Sequence, residues 1–189
     1  MALFSTSNAW GAPQRLIHWA MAALILFMLG LGFWMTSGVD DLLRRFELTQ
    51  THKSWGFVVF TLAILRIIWR LVDRTTPNLP SHMSRPHRLA ARAAHLGLYA
   101  LMLVMPISGW LMASASPLQD VFGIQNRVFD LFNLYDPFIP GNQELTDLFA
   151  SVHFYAAVAL GLLLIGHAGA AIWHHNHHKD GVLMRMIRG

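Results

Sequence analysis

Residues 149–173 read FASVHFYAAVALGLLLIGHAGAAIW, a run with no Lys, Arg, Asp or Glu and with histidine at 153 and 167. A helix that crosses a bilayer needs about 20 mostly apolar residues, so this stretch predicts a membrane span. Working outward, the same test selects 92–114, 53–72 and 16–36. The predicted fold class is all-α: an integral membrane four-helix bundle forming a single transmembrane domain over 1–189. Composition agrees, since 54% of residues are hydrophobic and 13% charged, about half the charge share of a soluble domain. The first span runs from Arg15 to Trp34 without an early small-residue cleavage site, which predicts a retained helix rather than a signal peptide. Cysteine is absent, which excludes a disulfide scaffold, a thiolate metal site and a thiol nucleophile. Nothing in the pattern predicts a nucleic-acid partner.

The flanking charges orient the spans. Residues 73–92 carry Arg74, Arg85, Arg88 and Arg92 against Asp73, and the tail carries Lys179, Arg185 and Arg188 against Asp180. Cytoplasmic connections collect Lys and Arg, so both belong inside. Segments 37–52 and 115–148 hold Asp40, Asp41, Glu47, Asp120, Asp130, Asp136, Glu144 and Asp147 against Arg44, Arg45 and Arg127, and belong outside. Both termini are then cytoplasmic, as four crossings require for termini on one side. Within 115–148, Ile124, Val128, Leu131, Phe132 and Tyr135 fall at helical spacing, which predicts a short interfacial helix, an irregular loop with apolar anchors being the alternative.

Ionisable residues at span depth mark functional sites, and His18, His52, His153 and His167 lie there. His153 and His167 are 14 residues apart, about 21 Å along the axis and roughly 40° short of four full turns, so they share one face at opposite membrane depths. His18 opens span one level with His167, and His52 opens span two level with His153. The depth pairs are His18–His167 inside and His52–His153 outside. Imidazole is an axial ligand for haem iron, and two depth-matched pairs predict two stacked haems, each with both axial positions filled: a site that moves electrons. A lone membrane histidine is more often a helix contact than a ligand, and a histidine-lined metal or proton transporter is the alternative. Gly56 after His52, Gly166 and Gly169 around His167, and Gly30 and Gly32 in span one offer faces without bulk, although small residues also serve ordinary helix packing.

The order and spacing of Arg15-Leu16-Ile17-His18-Trp19, His52-Lys53-Ser54-Trp55-Gly56, His95-Leu96-Gly97, Met105-Pro106-Ile107-Ser108-Gly109, His153 with His167, and the tail from His174-His175 to Met186 resemble the prokaryotic cytochrome b561 family. The resemblance covers nearly the whole chain. It implies a multi-pass cytochrome of the bacterial inner membrane with two haem b groups, an oxidoreductase exchanging electrons with quinone and in some members with superoxide or a protein partner. It also implies that His18 and His167, rather than His95, ligate the inner iron, leaving His95 to a haem propionate or a helix contact. Without Cys-x-x-Cys-His the haems are not covalently attached. The resulting expectation is electron transfer between a periplasmic one-electron donor and the quinone pool; a haem-bearing anchor subunit of a larger dehydrogenase or hydrogenase is the other reading. Lys53 beside His52 favours superoxide as donor by charge, whereas the acidic outer loops disfavour it.

Three further expectations concern single residues. Arg66 lies 14 residues after His52, so the same helix geometry puts it on the haem side toward the cytoplasm. No Asp or Glu lies inside any span, so its buried charge predicts a haem propionate as partner; the alternative is that it snorkels to the interface with Arg70. His174, with Arg15 and Trp19, forms a candidate quinone site at the inner edge, an ordinary interfacial belt of Trp and cations being the equal alternative. Pro106 removes a backbone hydrogen bond and predicts a kink in span three. The cluster His174, His175, His177, His178 reads as a polar, partly charged cytoplasmic helix end, with metal-ion binding as the alternative.

Overall fold

The computed structural model describes residues 2–80, 83–137 and 141–189. The chain is mostly helical. Helices α1 (Ala12–Ser37), α2 (Leu42–Val72), α3 (Arg85–Ala115) and α5 (Gln143–Trp173) are long and apolar enough to cross a membrane. Each contains one expected span and runs past it into polar flanks. Backbone hydrogen bonding does not stop where hydropathy does, and the flanks hold helix formers such as Leu42, Leu43, Arg44 and Arg45 in α2. Pro13 and Pro86 stand in the first turns of α1 and α3, where a missing N–H costs nothing. Asn142 caps α5, its Oδ1 accepting from Leu145 N at 3.0 Å. Helix α3 is assigned unbroken through Pro106. Phe33 (74% exposed), Ile165 (73%) and Leu162 (67%) turn outward, an apolar exterior that suits lipid and not water.

The expected interfacial helix over 124–135 is not formed. The described part of 115–148 holds a short α4 (Pro117–Phe122) and a hairpin of β1 (Arg127–Val128) with β2 (Phe132–Asn133), Arg127 facing Asn133 and Val128 facing Phe132. The helical spacing of its apolar residues loses to local turn chemistry. Ser116 caps α4, Gly123 ends it in the left-handed region, and Phe129 and Asp130 turn the hairpin with φ of 45° and 58°. A left-handed Phe is uncommon; this one is held by Phe129 N donating to Ser54 Oγ at 3.0 Å and by its ring packed edge-on against Trp55 at 5.3 Å.

The chain forms two compact units, each with a segment of all four long helices. The first comprises 1–23, 62–100 and 160–189. Its core includes Met21, Ala63 and Leu160. Here the N-terminal segment is tied to the end of α2: Asp73, 4% exposed, accepts from Ser5 N at 3.0 Å and Ser5 Oγ at 2.6 Å. Ser5 Oγ in turn accepts from Gly11 N at 3.0 Å, and Phe4 stacks on Trp69. Hydrogen bonds to a buried carboxylate contribute roughly 1.5–3 kcal/mol each. Asp73→Ala is therefore expected to destabilise the purified protein by about 3 kcal/mol, read as a lower thermal midpoint in detergent, with Asp73→Asn milder; an unchanged midpoint would show that these bonds carry little.

The second unit comprises 24–61 and 101–159. Its core includes Ile25, Leu31, Leu48, Val59, Met102 and Ala156. Beside the hairpin, Asp136 accepts from Ser114 Oγ at 2.8 Å and Asn126 Nδ2 at 2.5 Å, with Ser114 and Asn126 fully buried.

Candidate functional site

The first unit brings together the histidines of α1, α3 and α5. The His18 and His167 ring centres are 6.2 Å apart with planes at 70°, and His95 lies 5.4 Å from His167 at 67°. Arg66 of α2 reaches into the same cluster. It is 9% exposed, its Nη2 is 3.2 Å from His18 Nδ1, and its guanidinium lies 5.7 Å from the Tyr99 ring centre. Arg66 Nη1 is buried without a hydrogen-bond partner. Snorkelling describes Arg70 instead, whose guanidinium donates to the carbonyls of Asp73, Arg74 and Thr75 beyond the end of α2. The helical position of Arg66, two turns short of that end, keeps its side chain among the rings.

The second unit brings together His52 of α2 and His153 of α5, with ring centres 6.3 Å apart and planes at 77°. Each ring packs over a glycine of another helix. A Cβ at Gly32 would stand 3.3 Å from His52 Cε1, and one at Gly109 would stand 3.0 Å from His153 Cε1 and 3.2 Å from its Nδ1. His153 Nδ1 lies 2.9 Å from Met105 O and 3.1 Å from Ser108 Oγ, and that hydroxyl also donates to Met105 O at 3.0 Å. A carbonyl only accepts, so Nδ1–H donates to Met105 and the Nε2 lone pair is free for a metal. His52 Nδ1 is buried without a partner.

The glycines singled out around the histidines divide. Gly32 seats a ring, Gly56 meets only Met28, and Gly30, Gly166 and Gly169 have no heavy atom within 4 Å of an added Cβ. Gly109, Ser108 and the Met105 carbonyl were not assigned any role from sequence. The available signal was depth: they lie in span three level with His153, one helix away rather than on its own.

At the other end of the first unit, Arg15 Nη1 donates to Ile187 O at 3.2 Å and Trp19 Nε1 to Met186 O at 3.0 Å, tying α1 to the terminal helix α6 (Val182–Ile187). The histidine cluster forms a π-helical turn, His174–His178, that continues α5. His174 Nδ1 lies 2.5 Å from Asp180 Oδ2, and the Asp180 side chain is 4% exposed. Sequence reasoning missed this carboxylate because its pairing depends on the reversal through Lys179 and Gly181, both left-handed. Among the described residues no group of three metal-ligating side chains forms.

Comparison with known proteins gives this arrangement its context. The chain is 31% identical over 189 residues to cytochrome b561 homolog 2 of Escherichia coli K12, covering 99% of this chain and 95% of that one. It is 28% identical to cytochrome b561 homolog 1 of the same organism over 187 residues, 95% of this chain and 97% of the other. It is 26% identical to the probable superoxide oxidase CybB of Yersinia pestis over 179 residues, 90% and 91% of the two. The family model for prokaryotic cytochrome b561 matches residues 9–189. With four membrane-length apolar helices and paired histidines facing one another from different helices, the chain belongs to the prokaryotic cytochrome b561 family of multi-pass bacterial membrane proteins that bind b-type haem and transfer electrons.

Proposed function

We propose that the chain carries two b-type haems, one held by His18 and His167 and the other by His52 and His153. It passes electrons between a periplasmic one-electron donor and the quinone pool of the inner membrane, with both termini cytoplasmic. The observation that carries this reading is the separation of the ring centres, 6.2 and 6.3 Å. His18 with His167, and His52 with His153, would each hold one haem iron between rings drawn from two helices, imidazole being an axial ligand for haem iron. His95 is set closer to His167, at 5.4 Å, than either pair. His95 is better suited to a propionate or to helix contact, and Arg66, with a buried N–H to spare, suits a propionate carboxylate.

Haem b supplies reversible one-electron chemistry at each pair. The protein residues hold and orient it: the Met105 carbonyl fixes the proton of His153 on Nδ1, while Gly32 and Gly109 let the rings lie close to neighbouring backbones. Helix α5 supplies one histidine to each pair. At the cytoplasmic edge His174, oriented by Asp180, with Arg15 and Trp19 nearby in sequence depth, is the proposed quinone site, where an imidazole can deliver the protons that quinone reduction takes up. Superoxide is one candidate donor, in line with the name of the 26% identical relative.

Pyridine haemochrome analysis tests the core of this reading, with an expected two haem b per chain. One haem would remove the second pair, and none would leave a histidine-lined transporter. Reduction of the isolated chain by superoxide or quinol is expected; dependence on a co-purifying subunit would make it an anchor instead. His174→Ala is expected to keep both haems and slow quinol-driven haem reduction at least tenfold. Wild-type rates would exclude His174 from the quinone site.

A further inference from the structure

The two histidine pairs have unlike electrostatic surroundings. Beside His18 stands a buried cation, Arg66, with Nη2 3.2 Å from His18 Nδ1 and Nη1 without a partner. Its guanidinium also lies 5.7 Å from the Tyr99 ring centre. Beside His153 stands an acceptor, the Met105 carbonyl, 2.9 Å from Nδ1, with the Ser108 hydroxyl bridging the two. In the same unit as the second pair the Asp136 carboxylate binds Ser114 and Asn126.

These surroundings act on a bound iron in opposite directions. A carbonyl that accepts the Nδ1 proton makes imidazole a stronger electron donor to the metal and favours the oxidised state. A buried cation favours the state with one more electron. In the structure Arg66 Nη2–H donates to His18 Nδ1, since arginine has only donors; a His18 that held iron through Nε2 would carry its ring proton on Nδ1 and would give that bond up. Arg66 therefore acts on that ring through its charge, and its spare N–H groups remain for a carboxylate.

We propose that Arg66 and the Met105 carbonyl set the relative potentials of the two haems, Arg66 raising that of the His18–His167 pair and Met105 lowering that of the His52–His153 pair, so that electrons run from the second pair to the first. This rests on the two-haem reading above. The transfer balances without a co-reactant: one electron leaves the iron of the second pair, which is oxidised, and reduces the iron of the first, and no proton or bond is exchanged. With periplasmic His52–His153 and cytoplasmic His18–His167, the direction is inward, toward the side on which quinone is proposed to be reduced. Arg66 is in this sense a positioning residue for charge, not for substrate.

Redox titration of purified chain, followed by optical absorbance and electron paramagnetic resonance, tests the proposal with Arg66→Gln and Arg66→Lys. At an effective dielectric near 20, loss of a charge this close is worth about tenfold or more in the reduction equilibrium, and a tenfold change is 59 mV for a one-electron couple. In Arg66→Gln one haem is expected to shift by at least that much toward the oxidised state while the other stays, and Arg66→Lys is expected to restore most of the shift. Single-haem variants of the Arg66-intact chain provide an independent arm: the haem left in His52→Ala should titrate at higher potential than the haem left in His18→Ala. Two haems with unshifted potentials in Arg66→Gln, the reverse order in the single-haem variants, or loss of the same haem in both Arg66 variants would each overturn the proposal. A wild-type chain with fewer than two haems would instead overturn the reading on which it rests.

Discussion

Replacing His52 or His153 with Ala is expected to halve the haem content, leaving one haem per chain with the same spectrum in both variants. His18→Ala or His167→Ala should also leave one haem, with a different spectrum. Each pair of rings is separated by 6.2 or 6.3 Å and drawn from two helices, so removing either ring leaves its iron one strong ligand short while the other pair, in a separate compact unit, keeps both. A b-type haem has no covalent link to hold it once a ligand is gone. His95→Ala should retain two haems, because its ring belongs to neither proposed pair. The measurement is pyridine haemochrome per chain with low-temperature spectra of each variant. Identical remaining spectra in His52→Ala and His18→Ala, or loss of a haem in His95→Ala, would show that the pairs are drawn wrongly.

A comparable loss is expected from Gly109→Val, which touches no ligand. A Cβ at this position would stand 3.0 Å from His153 Cε1 and 3.2 Å from Nδ1, closer than ordinary van der Waals contact. Alanine forces the ring to give by a few tenths of an ångström. Valine adds two stiff branches at the same point, and the Nδ1 edge of the ring that it would press is already held by the Met105 carbonyl of the same helix at 2.9 Å. Overpacking of this kind costs about 1–3 kcal/mol even where no ligand is involved, and here the shift is taken by the ring proposed to face the iron. Gly109→Val is expected to lose most of the His52–His153 haem and keep the other, with Gly109→Ala intermediate. A Gly109→Val protein with two haems and an unaltered spectrum would show that the ring does not use this seat. Gly32→Val, with 3.3 Å to His52 Cε1, should act on the same haem more weakly.

The comparison of sequence with structure separates along a physical line. Hydropathy over about 20 residues and the helical repeat are properties of a local stretch of chain, so α1, α2, α3 and α5 were legible from the text alone, as was the spacing that puts His153 and His167 on one face of α5. Depth matching then nominated the pairs without any knowledge of side-chain contacts. Helix ends were less legible, because α2 continues through Leu42–Thr51, where the polar composition ends the hydropathy signal but not the hydrogen bonding. Of the two readings of the segment after α4, the helix fails because apolar spacing says nothing about a left-handed Phe129, which Ser54 and Trp55 of α2 hold in place.

The second layer around the histidines was decided by tertiary structure alone. That Met105 offers its carbonyl to His153, that Gly109 seats its ring, that Asp180 returns to His174, and that Arg66 turns inward while Arg70 turns out all depend on the rotation and approach of helices distant in sequence. Periodicity constrains which face of a helix a residue occupies, but the partner on the facing helix is chosen by packing. A separation of 45 or 48 residues, as between Ser108 or Met105 and His153, leaves no trace in any local pattern.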